Sequence, residues 1–337
     1  MVDMSQFGLE IQRLEKALKN AQRVLITAPG AADGDSIGAQ LALRRMILQR
    51  FPQTQVFVVN DEALPPRYLF LPDADQVLTP ETYSQKNNRP NFDIAFVVDG
   101  GIDRAGRVKS WFDEVATKVF IDHHSVSCDY PYTIRIVDKL ACATTELVYH
   151  LSQTQVFKTS IEPCFAQQIY LGLVFDTGFF RHSNTTPEAM ILAAQLLRTG
   201  FDFTRVGERG MLERSFSSLQ LMADTLTKAQ TTQNGKIIWS VLTQDMLKKY
   251  DAIADDREGI IDHLFLTHGV EVALLLFELS DNQAKISLRS QGQLDVARFA
   301  RSLTVRGGGH SKAAGAFLEM PIRGAEEFVL KKLIETF

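Results

Sequence analysis

Residues 93–101 read DIAFVVDGG and residues 118–124 read KVFIDHH. Each is a short run rich in β-branched and aromatic residues that ends in an acid, the pattern of a strand buried on both faces with a polar exit. The pattern recurs upstream. Val24–Ala28 (VLITA) closes on Pro29-Gly30 and leads to Asp33-Gly34-Asp35, and Gln55–Val59 (QVFVV) is a further strand. Between these runs the apolar spacing lengthens to three and four, with Phe7, Ile11, Leu14 and Leu18 over 6–20 and Ile37, Leu41 and Leu48 over 36–50. Strands alternating with helices predict an α/β fold whose N-terminal domain is a parallel sheet with helices on both faces. Residues 141–153 and 161–175 also read as helices, and Thr185-Thr186-Pro187-Glu188 as a capped helix start that stops at Gly200.

Beyond Asn234-Gly235 the texture changes. Strands are expected over 236–242 and 270–279, then a turn at Asp281-Asn282 and a returning strand over 284–290. Helices over 294–303 and 324–337 flank a glycine run at 307–309 and complete a smaller α/β domain with a mixed sheet. The organisation expected is a catalytic domain over 1–205, a linker helix within 206–232 and a substrate-binding domain over 233–337. Two domains suit 337 residues at ~100–200 residues each.

Composition narrows the function. With 36 Lys+Arg against 40 Asp+Glu the net charge is −4, which argues against a coat for long duplex nucleic acid. No apolar run approaches the ~18 residues that span a bilayer, and the first twenty residues lack the apolar centre of a signal peptide. Cys128, Cys142 and Cys164 make neither a Cys-x-x-Cys pair nor an even framework, so a cytoplasmic protein without structural zinc is expected. A homodimer is admitted, not required.

The acids and histidines carry the chemistry. Strand ends of a parallel sheet share one edge, so Asp33, Asp35, Asp99, Asp122, His123 and His124 are delivered to one place, with Asp176 arriving at the end of an apolar helix. So many carboxylates cannot ionise together without positive charge, and within these segments only Arg181 offers any. Divalent ions are the natural compensation, and mixed carboxylate and imidazole donors suit Mn²⁺ or Fe²⁺. Taken singly, each acid also reads as a helix cap or turn residue. His150, His263 and His268 have no acid partner in these motifs and read as structural. A second cluster joins Arg289-Ser290 to Gly307-Gly308-Gly309-His310-Ser311-Lys312, where glycines let backbone N–H groups approach an anion and Arg289, His310 and Lys312 add donors.

These motifs, with the stretch Phe179–Thr185, resemble those of the DHH phosphoesterases, in the branch with a DHH-associated C-terminal domain typified by NrnA-type oligoribonuclease/pAp phosphatases. The resemblance implies a two-Mn²⁺ phosphate-ester hydrolase with its site between two domains. Asp33 would bind the first ion and Asp99 both, while Asp35, His123 and Asp176 would bind the second. His124 would touch the phosphoryl group or assist the leaving oxygen, and Asp122 would orient its neighbours. Arg289 and His310 would hold the substrate, with Ser290, Gly307, Gly308, Gly309 and Arg181 completing its contacts. Two departures stand out. Pro29 occupies the place of a usual His ligand, which implies a weakly held first ion, and Arg306 replaces the first of four usual glycines. The function this implies is hydrolysis of a short oligoribonucleotide or dinucleotide, such as nanoRNA or pGpG, to nucleoside monophosphates, with pAp as a further substrate. Two other readings stand beside it: a pyrophosphatase or exopolyphosphatase on a related fold, and a nucleotide-binding sensor without turnover.

Overall fold

A computed structural model describes residues 2–30, 32–87, 91–124 and 130–336, so Cys128 lies outside the described residues. The chain divides into two compact units, Met1–Glu213 and Arg214–Phe337.

The first unit is built on six parallel strands: β1 (Arg23–Thr27), β2 (Gln55–Val59), β3 (Val77–Leu78), β4 (Ile94–Val98), β5 (Thr117–Asp122) and β6 (Ile134–Val137). Their order is β3-β2-β1-β4-β5-β6. Strand β4 is buried along its whole length because both faces are covered: Ile94, Phe96 and Val98 join one apolar cluster, Ala95 and Val97 another. This explains the unbroken apolar runs of the sequence. The chain fills the sheet outward from β1 in one direction and then returns to β4, so the order reverses between β1 and β4. A crevice opens outside the carboxyl ends of the strands at such a point. The helix Gly34–Arg50 leaves β1 and packs on the helix Pro163–Asp176 so closely that a Cβ on Gly38 would stand 2.4 Å from the Gln168 carbonyl oxygen. Only glycine permits that approach.

The single linking helix expected within 206–232 is instead three pieces. A short helix over Phe203–Gly207 runs into a π-helical turn at Glu208–Leu212, and a new helix starts at Phe216 and ends at Thr227. The break follows from Ser215, whose side chain accepts a hydrogen bond from the Ser218 amide and so caps a fresh helix start.

The second unit carries β7 (Gln230–Thr232), β8 (Ile237–Leu242), β9 (Val272–Ser280), β10 (Gln283–Ser290), β11 (Gly307–His310) and β12 (Ala313–Leu318), ordered β11-β12-β10-β9-β8-β7. Only β8 and β9 pair in parallel, so the sheet is mixed. The glycine run is therefore an edge strand rather than a free loop. Gly307 is needed because a Cβ there would meet the Ala300 carbonyl oxygen at 2.1 Å, and Gly309 because its φ is +133°. One sheet face buries Ile286, Leu288, Ala314 and Ala316 with the helices Val296–Leu303 and Ile322–Thr336. On the other face, Ala273, Leu275 and Phe277 of β9 are buried with Leu221, Ile260, Ile261 and Leu264. The same face of β10, β12 and β11 carries half-buried and exposed residues.

Candidate metal centre

Three strand ends build the centre. After β1 the chain turns into the helix Gly34–Arg50, and Asp33 caps it, its Oδ1 accepting from the Asp35 and Ser36 amides at 3.0 and 3.1 Å. Asp35, in the first turn of that helix, is fully buried. Its carboxylate meets the start of the helix Thr144–Ser152: Oδ2 accepts from the Thr144 amide at 2.6 Å, and Oδ1 from the Thr145 amide at 2.9 Å and the Thr145 hydroxyl at 2.8 Å. Amides at a helix start are placed for an anion. Gly172, on the facing helix, leaves room for this carboxylate, since a Cβ there would stand 2.3 Å from Asp35 Oδ1.

Asp99 follows β4 with φ at +60°, a left-handed conformation that costs an L-residue roughly 1–2 kcal/mol and so must be held by its surroundings. The Ser36 hydroxyl donates to its Oδ2, and the Thr144 hydroxyl donates to its Oδ1 at 3.1 Å. Asp122, His123 and His124 leave β5 in sequence. Asp122 Oδ1 accepts from the His124 amide at 3.1 Å and from His124 Nδ1 at 2.7 Å, which fixes that ring. His123 Nε2 lies 2.9 Å from Asp176 Oδ2 and 3.8 Å from Asp99 Oδ1. Its Nδ1 is 3.3 Å from the Ala141 carbonyl oxygen.

Two donor groups result. Asp35, His123 and Asp176 each offer a ligand atom within 4.8 Å of one another, and so do Asp99, His123 and His124. His123 belongs to both. Asp33 joins the field electrostatically. Burial, then Asp99, Asp176 and Asp35, push its carboxyl well above the usual range. Burial followed by Asp176 and Asp99 raises Asp35 to about 8, and burial followed by Asp176 raises Asp99. At His123 burial opposes the charged ring, yet Asp176, Asp35 and Asp99 outweigh it and hold the imidazolium up to about 10. His124 is likewise raised, with Asp122 overcoming burial, and Asp122 is lowered because His124 overcomes its own burial. Carboxylates that resist ionisation beside an imidazole that resists deprotonation are short of positive charge. Oxygen and imidazole donors so arranged fit a divalent cation.

Several residues of this centre were assigned no role from the sequence, although Ser36 and Asn184 lie within the motifs that carry the resemblance. Ser36, Thr144 and Thr145 donate to Asp99 and Asp35, and Asn184 Nδ2 bonds the Asp176 carbonyl oxygen at 3.2 Å. For Thr144 and Thr145 the helix start Thr144-Thr145-Glu146 was the available clue, because paired hydroxyls there are side-chain donors beside free amides. Arg181, the expected cation, donates from Nε to the Gly178 carbonyl oxygen of its own turn at 2.7 Å. Arg104 is the cation beside the strand end: a Cβ on Gly100 would stand 2.3 Å from its Nη2 and 2.8 Å from Pro29 Cγ. His150 has an acid neighbour after all, Glu146 at 3.8 Å, one helical turn away.

In the second unit, Arg289 pairs in register with Ala313, which pairs with His310. Residues directly opposite share a face, so both side chains stand on the half-open face. Gly308, opposite Gly315, belongs to that face too, with nothing within 4 Å of an added Cβ. Gly307, Gly309 and the buried Ser290 belong to the other face. Arg289 Nε lies 3.3 Å from Asp262 Oδ1, and Lys312 donates to the Gly292 carbonyl oxygen.

Comparison with known proteins agrees with both halves. Residues 23–173 match the DHH family N-terminal domain, and residues 234–337 match the DHHA1 domain. The bifunctional oligoribonuclease and PAP phosphatase NrnA of Mycoplasma pneumoniae is 28% identical over 307 residues, covering 90% of each chain. That of Thermus thermophilus is 28% identical over 313 residues, covering 90% of this chain and 86% of the relative. The crystal structure of an exopolyphosphatase-related protein from Bacteroides fragilis superposes with a TM-score of 0.88 at 25% identity, covering 97% of this chain and 96% of that one. With strand-end acids and histidines converging on two donor groups that could hold a cation, the chain belongs to the DHH family, as a metal-dependent phosphoesterase in which a DHH N-terminal domain precedes a DHHA1 domain.

Proposed function

We propose that the protein is a Mn²⁺-dependent phosphodiesterase that cleaves very short oligoribonucleotides, dinucleotides such as pGpG or nanoRNA, to nucleoside monophosphates, with pAp as a second substrate. The observation that carries this reading is the pair of donor groups sharing His123 at the edge of a parallel sheet. The activities named for the Mycoplasma and Thermus relatives support the substrate class.

Asp33, Asp35, Asp99, His123 and Asp176 would hold the ions. Bound there, divalent cations supply the positive charge that an in-line phosphoryl displacement develops a need for. Asp122 accepts from His124 Nδ1, holds the ring in one orientation and favours the imidazolium, whose second proton, on Nε2, would be the one passed to the leaving oxygen. Arg289, His310 and the Gly308 amide would seat a substrate phosphate. Pro29 offers no donor atom, so the ion on the Asp33 side would be the more weakly held.

A product assay with Mn²⁺ over di- to pentanucleotides, cyclic dinucleotides, pAp and pyrophosphate tests the proposal. Fastest release of monophosphates from the shortest linear oligonucleotides is expected. Turnover of pyrophosphate alone would move the protein to the phosphoanhydride hydrolases, and binding without turnover of any substrate would make it a sensor.

A further inference from the structure

One turn of chain, Ala141 to Thr145, reaches Asp35, Asp99, His123 and Asp176, directly or through a single side chain. The Ala141 carbonyl oxygen stands 3.3 Å from His123 Nδ1. The Cys142 carbonyl oxygen accepts from Asn184 Nδ2 at 3.0 Å, and the same nitrogen bonds the Asp176 carbonyl oxygen at 3.2 Å. Thr144 and Thr145 donate to Asp35 and Asp99. A carbonyl oxygen only accepts, so His123 Nδ1 carries the proton, and Nε2 is turned toward Asp176 and Asp99, at 2.9 and 3.8 Å. An imidazole oriented through its other nitrogen depends on whatever holds that carbonyl in place. Because His123 belongs to both donor groups, a shift of this turn would disturb both.

The turn is held from behind by Glu146. The helix Thr144–Ser152 follows Ala143, whose side chain cannot cap it, and the amides that a cap would take, those of Thr144 and Thr145, are given to Asp35. A glutamate at the third helical position ordinarily reaches back to the amide of the capping residue. Glu146 reaches one residue further. Its Oε2 accepts from the Cys142 amide at 2.7 Å, and the buried Cys142 thiol donates to the same carboxylate. Oε1 lies 3.8 Å from Nε2 of the half-buried His150, one helical turn on. Glu146 is itself 2% exposed. Burial works against its charge, yet His150 and the amide and thiol of Cys142 outweigh it and hold the carboxyl below its usual range. A buried carboxylate bound to the turn and to its own helix, and to none of the expected ion ligands among the described residues, is placed to support the centre from outside it.

We infer that Glu146 is the positioning residue of the metal centre. By fixing the Cys142 amide it sets the turn that aims His123 Nε2 and steadies Asp35, Asp99 and Asp176, with His150 as its outer partner. The inference rests on the reading that those four residues hold divalent ions.

Calorimetric titration of the full chain with Mn²⁺ tests it without substrate. Glu146→Gln keeps an acceptor for the Cys142 amide and a donor for His150, whereas Glu146→Ala keeps neither. Glu146→Ala is expected to weaken Mn²⁺ binding about tenfold to a hundredfold, and Glu146→Gln to stay within about threefold of the unmodified protein. The visible spectrum at saturating Co²⁺ reads ligand geometry rather than stability, so it should shift in Glu146→Ala and return in Glu146→Gln. At saturating Mn²⁺, kcat on a dinucleotide should fall in Glu146→Ala while KM stays within about twofold. Asn184→Ala, at an exposed position, frees the turn from Asp176 and should lower Mn²⁺ affinity by less. If Glu146→Ala does not fold, unchanged affinity in Asn184→Ala overturns the inference. So does a Glu146→Ala protein with a lower melting temperature but unchanged Mn²⁺ affinity and Co²⁺ spectrum, since Glu146 would then be a helix cap and nothing more. Equal losses in Glu146→Gln and Glu146→Ala would also overturn it, because charge and not the bond to Cys142 would then be what matters. Unmodified protein that binds no Mn²⁺ would remove the ion reading and this inference with it. Absence of turnover with the binding pattern intact would remove the enzyme reading and leave Glu146 in its role.

Discussion

The carboxyl edge of β1, β4 and β5 and the half-open face of β10, β12 and β11 collect opposite charges by different means. At the first, Asp35 and Asp99 are buried and tied down by hydroxyls and amides of the helix start at Thr144, so each acid is held in place whether or not a cation is present. At the second, Arg289 and His310 stand on a half-open sheet face on either side of Ala313, with Arg289 Nε 3.3 Å from Asp262 Oδ1. A rigid, crowded cage suits ions that must be held to within tenths of an ångström. A strand face with flexible side chains suits a phosphate chain whose length and bases vary. The difference teaches that precision is spent where bonds break, and adaptability where the substrate is gripped.

The sharpest way to break the comparison is to remove charge from the cage. Asp99→Asn should drop hydrolysis below detection, because Asp99 is the acid whose neighbours include Ser36, Thr144 and both histidines, and the amide offers a poorer donor to a cation. Near-normal turnover by metal-stripped protein, or by Asp99→Asn, would sink the metal mechanism.

Next in size is a change that leaves every ligand in place. Gly172→Ala puts a methyl group 2.3 Å from Asp35 Oδ1 and 2.2 Å from Thr145 Oγ1, so the carboxylate or the helix must shift. Overpacking of this kind costs about 1–3 kcal/mol of stability. If rigidity of the cage matters, Mn²⁺ affinity measured by calorimetry should fall as well, by tenfold or more. A loss of melting temperature with unchanged affinity would show that Asp35 tolerates displacement and that the cage is looser than its hydrogen bonds suggest.

On the sheet face the expected effect is smaller and selective. His310→Ala should impair dinucleotide cleavage far more than cleavage of a small chromogenic phosphodiester. Losing a charge-assisted hydrogen bond costs ~1.5–3 kcal/mol, roughly one to two orders of magnitude in kcat/KM. Equal losses on both substrates would place His310 in the chemical step.

What the sequence disclosed follows the same division. Strands buried on both faces and ended by acids announce themselves, so the parallel sheet and the convergence of Asp33, Asp35, Asp99, His123 and Asp176 were legible. The donors that hold those acids were not. Ser36, Thr144 and Thr145 look like any helix-start hydroxyls until tertiary packing brings Thr144–Ser152 against Asp35. Gly172 looks like a weak point in a helix until the carboxylate beside it is seen. The edge strand β11 was hidden because glycine carries little strand propensity, its pairing with Ala313–Ala316 being a tertiary fact. β3 and β6 were missed for the related reason that two residues, or four with an exposed Arg135, give too short a period to detect.

The smallest effect concerns what the cage does without its cation. Asp35 is raised to about 8 and Asp33 and Asp99 are raised with it, against ~3.9 for an unfolded Asp. Across that interval the folded chain keeps protons that the unfolded chain has released. The stability these groups confer is therefore full at pH below about 4 and is lost as pH rises toward 8. His123, raised to about 10 from a usual ~6.5, acts in the same direction over the upper part of the range. Asp122 is lowered and so works the other way, but its stabilisation is lost only as pH falls below the usual carboxylate range, outside this window. The melting temperature of metal-stripped protein should therefore fall between pH 5 and pH 8, by a few degrees in a chain of this size. Mn²⁺ competes with those protons, so it should raise the melting temperature more at pH 8 than at pH 5. A flat profile in the stripped protein, or stronger stabilisation by Mn²⁺ at pH 5, would mean that the carboxylates are already compensated by the protein itself, and that the cage is not waiting for a cation.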